Sequence, residues 1–378
     1  MCTPTLHRRA RLGTVLIALA LLTTPPPASA QESCDTATPM EGQRLLRRLS
    51  LDLRGAIPSR REIEAQVGRA ELDDATIEAF LDSPEFLQVM RRYHADMLWP
   101  NIDQVELIPD QNVLMPVEQA PGDVLWLSPL RSVFMRTISG QLYGLCKNEP
   151  AEFDAQGRIV AEPVTNAAGE ILSYQEGYVM VTPYWSPTPI KVCAYDAQAL
   201  AIGTGTTPPA CGPYTINAGC GCGDGLRHCI LGATDANHVA IRAALAEEAP
   251  RIFEAVVRDG RSYFDTFTTK QSFANGPLIH FYTELSGPEV TLRQGGTVGY
   301  DGRMPATMPT VPFADRTTWM PLERDAAHAG VLTTAGYMLR FASNRARVNR
   351  WYTAFRCEPF QPPAGGLPPD VGGQPDPN

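Results

Sequence analysis

The chain has 378 residues, of which 44 % are hydrophobic and 19 % charged, with 34 prolines, 31 glycines and nine cysteines. Its formal net charge of −9 argues against nucleic acid or an anionic membrane surface as a partner, since both need a basic footprint. The length suffices for a substantial core, in one large domain or two modest ones.

Residues 1–30 read as a secretory signal peptide. His7, Arg8, Arg9 and Arg11 form a basic start, Leu12 to Leu22 a short apolar core, and Ala28-Ser29-Ala30 a small-residue site before Gln31. The apolar run is too short for a membrane span, and no later stretch is long enough for one after signal cleavage. Loss of three arginines takes the charge to −9 − 3 = −12. The expected location is periplasmic or extracellular.

Helices should dominate residues 31–99. Leu45, Leu46, Leu49 and Leu53 share a helical stripe that Gly55 ends. Ser59 and Glu62 have capping-box spacing for a short helix ending at Gly68. A third helix starts at Asp73 or Asp74 and turns Ile77, Phe80 and Leu81 inward. Ser83 and Pro84 open a fourth, with Phe86, Leu87, Met90, Tyr93, Met97 and Leu98 as its buried face.

Residues 100–234 read as a mixed α/β, cysteine-rich insertion. Residues 100–127 lack periodicity and read as a long loop. A helix is expected from Ser128-Pro129 to about Gly144. Strands are expected at Ile171-Leu172-Ser173-Tyr174 and Tyr178-Val179-Met180-Val181, with Asn166-Ala-Ala-Gly169 as a turn. Residues 204–218 are turn-rich. Helices resume in 235–357, a region expected to pack with 31–99. Asp235 caps the first, Pro250 should interrupt it, and the pattern continues to Asp259-Gly260. Gly276 to Leu285, Leu332 to Phe341 and a helix capped by Ser343-Asn344 and running through Phe355 follow. Residues 358–378 are Pro/Gly-rich and expected to be disordered. The fold class expected is therefore mainly α: a helical framework with an irregular, strand-containing, cysteine-rich insertion.

Eight cysteines remain after residue 30: Cys34, Cys146, Cys193, Cys211, Cys220, Cys222, Cys229 and Cys357. An even count in an oxidising compartment makes all eight disulfide candidates, with connectivity left open. The densest stretch, Cys220-Gly-Cys222-Gly-Asp224-Gly-Leu226-Arg227-His228-Cys229, also offers Cys220, Cys222, His228 and Cys229 as a zinc-ligand set. Its spacing is not that of a finger or ribbon, so no metal is favoured. Covalent haem needs Cys-x-x-Cys-His, which is absent, and no cofactor is favoured overall; haem bound without linkage would use His94, His280 or His328. His94 and His280 read as structural, and His328, at a loop-to-helix junction, is the best single histidine for function, though a structural hydrogen bond is its first reading too. Arg345, Arg347 and Arg350 spread over a helix surface and read most simply as a solvated face; the alternative is that, with Arg340, they bind a carboxylate or a partner's acidic patch. No nucleophile elbow, zinc-protease helix, phosphate loop or dinucleotide fingerprint occurs.

Arg48-Leu49-Ser50-Leu51-Asp52-Leu53-Arg54-Gly55-Ala56-Ile57-Pro58-Ser59 resembles the opening of a planctomycete-type domain of unknown function, with Ile57 where that family commonly has proline. Phe80-Leu81-Asp82-Ser83-Pro84-Glu85-Phe86 and Asp96-Met97-Leu98-Trp99 resemble its second half. Phe264 to Thr269, Ser272 to Leu278 and Phe281-Tyr282 resemble one companion family. His328 to Thr334, Ser343 to Arg350, and Cys357 before Pro359 resemble another. The resemblance implies an exported protein from a cytochrome-associated group, in a redox or polymer-processing context, and supplies no reaction and no catalytic residues. The function expected is a soluble binding or assembly component of an extracytoplasmic redox-associated system, with an exported protein partner. The alternative is an extracytoplasmic oxidoreductase or hydrolase whose site lies between the insertion and the helical framework.

Overall fold

The structure is a computed structural model that describes residues 41–98, 102, 107, 112–129, 146–198, 221–232, 235–285, 289–291, 297–299, 308–341 and 343–358. The chain divides into two compact units, one within Met1–Phe86 with Phe355–Glu358, the other within Leu87–Ala354 with Pro359–Asn378.

The first unit carries helices α1 (Gly42–Arg54), α2 (Arg60–Ala65) and α3 (Asp74–Leu81). Local chemistry sets each boundary. Gly55 ends α1 in the left-handed region at φ +68°, where a side chain would be strained. The Ser59–Glu62 capping box opens α2, and the Asp73 carboxylate accepts the Thr76 amide to open α3. Leu46 and Ser50 form the buried line of α1, while Leu45, Leu49 and Leu53 are half-buried. Arg54 ties the three together: it donates to Glu62 Oε1 at 2.9 Å and to Ser50 Oγ at 2.7 Å, and its guanidinium lies 3.8 Å from the Phe80 ring centre.

The second unit takes up α4 (Pro84–Leu98) from Leu87 and continues into a five-stranded sheet. Strands β1 (Val113–Ala120) and β2 (Asp123–Leu127) form a hairpin in which Pro116 faces Trp126. β2 runs parallel to β8 (Ile190–Cys193), and β8 pairs antiparallel with β7 (Tyr178–Val181). β9 (Ile230–Leu231) lies parallel to β1 at the opposite edge, giving the order β7-β8-β2-β1-β9. Two-residue periodicity divides the side chains. Leu125, Leu127 and Cys193 face one way and pack with Cys146 and Tyr178. Trp126 and Val192 face the other way and pack with Leu114, Leu226 and the sulfurs of Cys222 and Cys229. Each face of the sheet thus rests on one disulfide. The short pairs β3 (Glu152–Phe153) with β4 (Ile159–Val160) and β5 (Glu162–Thr165) with β6 (Ile171–Gln175) are antiparallel.

Helix α5 (Ala236–Arg258) is the axis of the remainder, capped by Asp235, whose carboxylate accepts the Asn237 amide. Around it stand the ladder of β10 (Gln271–Ala274) with β13 (Met320–Glu323), helix α6 (Gly276–His280) with a π-turn Phe281–Leu285, and helices α7 (Ala335–Arg340) and α8 (Asn344–Trp351). The strands β11 (Glu289–Thr291) and β12 (Thr297–Gly299) pair with each other. Ile241, Leu245, Leu278, Phe281, Leu322 and Leu339 belong to one core with Ile102, Leu107 and Ile230, so residues before and after 234 share it.

Several expectations are corrected. The chain is not mainly α: the described residues hold thirteen strands beside eight α-helices, and the five-stranded sheet builds the centre of residues 100–234. Residues 113–127, expected as loop, are the central hairpin. Pro116 and the Pro121-Gly122 turn disguise it, and burial of Leu114, Leu125 and Leu127 stabilises it. Pro250 does not interrupt α5. A mid-helix proline costs about 3 kcal/mol, but Ile241, Leu245, Ile252, Phe253 and Val256 are each at most 1 % exposed, and burial of such a side chain stabilises by about 1.5–3 kcal/mol each. On α4, Tyr93 is 55 % exposed and His94 is buried, because Phe253 of α5 receives the imidazole. The helix expected at 128–144, the turns at 204–218 and the tail after 358 lie outside the described residues.

Candidate functional site

The acidic chain reverses sign over a long stretch near its C-terminal end. Between Asp325 and Glu358 it carries Arg340, Arg345, Arg347, Arg350 and Arg356 and no acid. Helices α7 and α8 lie in this stretch. Ser343 opens α8 by accepting the Ala346 amide on its hydroxyl, and the helix then divides its arginines between two tasks.

Arg347 and Arg350 anchor α8. Arg347 donates to the Phe341 carbonyl at 3.0 Å and also bonds Asn344, while Arg350 donates to the Met97 carbonyl at the end of α4. The Tyr337 hydroxyl donates to the Arg347 carbonyl at 3.2 Å. Burial pushes the Tyr337 phenol up to about 12, against the pull of Arg350 and Arg347. Burial also holds Arg350 below its ordinary value, with Tyr337 opposing and Arg340 adding to the shift. Arg345 does none of this and is exposed. It shares a face of α8 with Val348, three residues on. Tyr352, seven residues on, caps the helix in right-handed helical backbone, where a π-turn (Tyr352–Arg356) begins. Val348 is 56 % and Tyr352 42 % exposed. Arginine and tyrosine are the residue types enriched among protein-docking anchors, and the exposed Val348 lies between them.

Below this region Leu98, Leu245, Ala249, Tyr337 and Arg340 line a hollow of about 10 Å³. The buried Arg340 Nε has no hydrogen-bond partner among the described residues. Ala246, whose carbonyl loses its intrahelical donor to Pro250, borders the same hollow. The space suits one bridging water and is far smaller than a small-molecule pocket.

Other charged groups are committed to architecture. Glu248 of α5 is fully buried and accepts from Ser272 Oγ at 2.6 Å, Tyr282 OH at 2.6 Å and Arg324 at 3.1 Å. Sequence reasoning missed this network, whose members are scattered over residues 248–324. His328 is 1 % exposed; its Nδ1 lies 2.9 Å from Thr333 Oγ1, and its carbonyl accepts from Lys270 Nζ at 2.6 Å. His94 donates from Nδ1 to the Met90 carbonyl at 2.7 Å and stacks on Phe253 at 3.9 Å, and burial lowers its pKa. His280 stacks on Tyr184 at 3.6 Å, and burial pushes its pKa down to about 3, against a hydrogen bond to the Arg227 backbone.

The cysteines divide as follows. Cys222–Cys229 and Cys146–Cys193 are disulfides, with Cα–Cα distances of 5.2 and 5.7 Å, and Cys357 is disulfide-bonded. Cys34, Cys211 and Cys220 lie outside the described residues. Within the zinc-ligand set read from sequence, Cys222 and Cys229 bond each other, and His228 turns to Glu284, donating from Nδ1 to its carbonyl at 2.8 Å. A different group, Cys146, Glu176 and Cys193, holds three potential metal-ligand atoms within 4.8 Å of one another, all buried. Glu176 gave no sequence signal, because it meets Cys193 through the pairing of β7 with β8 and Cys146 through the bond from the Lys147 amide to the Glu176 carbonyl.

Among the described residues no helix is long and apolar enough to cross a membrane. No family model, curated protein or solved structure matches the chain.

Proposed function

We propose that this chain is an exported binding or assembly component of an extracytoplasmic redox-associated system, and that α8 docks an acidic segment of a protein partner. The observation that carries the reading is the exposed stripe Arg345, Val348 and Tyr352, set in an acid-free stretch of a chain of net charge −9. Charge complementarity selects an acidic occupant, since like-charged partners are repelled at such a face. The disulfides support an oxidising compartment, and the planctomycete-type motifs support the redox association.

The test is fluorescence anisotropy with the labelled peptide acetyl-Glu-Glu-Leu-Phe-Glu-Glu-amide and its lysine counterpart. The acidic peptide binds, more weakly as salt rises, and Arg345→Glu weakens binding at least tenfold. Equal binding of both peptides, binding of neither, or indifference to Arg345→Glu would refute the reading. Self-association that Arg345→Glu abolishes would assign the face to a second copy instead.

A second reading, an extracytoplasmic oxidoreductase or hydrolase, draws on His228 Nε2 lying 3.8 Å from Glu284 Oε2 with both side chains partly exposed. The pair joins the insertion to the π-turn, a common position for functional groups. Turnover abolished by both His228→Ala and Glu284→Gln, but not by Arg345→Glu, would favour it.

A further inference from the structure

The buried group at Cys146, Glu176 and Cys193 has a use that a plain disulfide does not require. We propose that reduction of the Cys146–Cys193 bond opens a divalent-metal site, with zinc the fitting ion, in which the two thiolates and the Glu176 carboxylate are the protein ligands. The site is independent of the α8 face.

Preorganisation by the backbone is what makes the site credible. Cys193 ends β8 and pairs with Tyr178 of β7, two residues beyond Glu176. The Lys147 amide, next to Cys146, donates to the Glu176 carbonyl at 2.8 Å, and the Ala194 amide, next to Cys193, donates to the Gly177 carbonyl at 3.1 Å. Gly177 is pressed against the neighbouring chain: a Cβ there would stand 2.4 Å from the Glu149 carbonyl oxygen. These main-chain bonds do not pass through sulfur, so they persist when the disulfide is cut. Cys146 is 3 %, Cys193 0 % and Glu176 1 % exposed. Two reduced sulfurs beside a carboxylate in such a dry place form a set of ligands that suits zinc, a borderline-soft ion. Tetrahedral zinc needs its two sulfurs about 3.8 Å apart, a separation that side-chain rotation supplies.

The chemistry balances simply. A dithiol gives two electrons and two protons to the disulfide, leaving as its own disulfide and producing the Cys146 and Cys193 thiols. The ion then replaces both thiol protons, which pass to solvent, and water completes the coordination.

The experiment uses the full chain, reduced with dithiothreitol, freed of reductant without oxygen, and titrated with Co²⁺ and then Zn²⁺. Reduced protein gains the intense thiolate-to-cobalt band and tetrahedral visible bands at one ion per chain, and zinc displaces them. Oxidised protein shows neither. Glu176→Gln, which keeps both sulfurs, weakens binding about tenfold or more, and Cys146→Ser with Cys193→Ser abolishes it. The Cys222→Ser, Cys229→Ser variant retains it. The same bands in the Cys146/Cys193 variant, or unchanged affinity in Glu176→Gln, would overturn the proposal. So would a reduced chain whose circular dichroism collapses and is not restored by zinc.

Discussion

Removing the Glu248 carboxylate while leaving Arg324 in place should be among the most damaging single changes available to this protein. The two side chains are 0 % exposed and 3.1 Å apart, with Ser272 and Tyr282 also donating to Glu248 at 2.6 Å each. Glu248→Leu leaves a guanidinium in the interior without this counter-charge, at a cost of about 3–5 kcal/mol. It also strands two hydroxyl donors, at about 1–3 kcal/mol each if neither re-pairs. The double variant Glu248→Leu, Arg324→Met removes both charges. A buried ion pair replaced by apolar groups is often near neutral, so the second substitution should recover at least half of the loss. The assay is urea unfolding followed by tryptophan fluorescence, comparing midpoints at constant slope across the full cycle. A loss below about 1 kcal/mol in Glu248→Leu, or a double variant as destabilised as the sum of the singles, would refute the buried-pair reasoning.

Other outcomes follow from the same geometry. The Cys146–Cys193 bond spans 47 positions and Cys222–Cys229 spans 7, so chain-entropy arguments assign about 4 and about 2 kcal/mol respectively; replacing each pair with serine should lower the urea midpoint in that order. Gly330 sits at φ +53° with room for no Cβ, which would stand 1.9 Å from the Thr266 carbonyl oxygen. Gly330→Ala should therefore cost at least about 2 kcal/mol, read by the same assay. His280 has a folded pKa of about 3 against an unfolded value near 6.5. A depressed folded value contributes stability present above about pH 6.5 and lost as pH falls toward 3. His280→Phe, which keeps the stack on Tyr184, should reduce the slope of stability against pH by about 1.4 kcal/mol per unit near pH 5. An unchanged slope would contradict the buried neutral imidazole.

What could be read in advance was local. Gly55, Ser59 with Glu62, and Asp73 each specify a helix end through groups a few residues away, and the structure ends those helices there. The strand patterns at 171–174 and 178–181 were equally legible, and so was the 166–169 turn, where the Gly169 amide reaches the Asn166 carbonyl at 3.0 Å. The misses are non-local. Pairing of β2 with β8 joins residues such as Trp126 and Val192, which no periodicity within a window can relate. The phase error on α4 was decided by Phe253 on another helix. The arginines of α8 were visible, but which of them is spoken for was not: Arg350 is tied down by Met97, far away in the chain, and that leaves Arg345 outward. The acid-free stretch around them was open to a simple count of charges.

Amide hydrogen exchange of the full chain, with and without the acidic peptide, bears most directly on whether α8 is a docking surface. Slowed exchange centred on residues 344–352, abolished by Arg345→Glu, is the predicted result. Unaltered exchange along α8, or protection appearing only in some other segment, would contradict it.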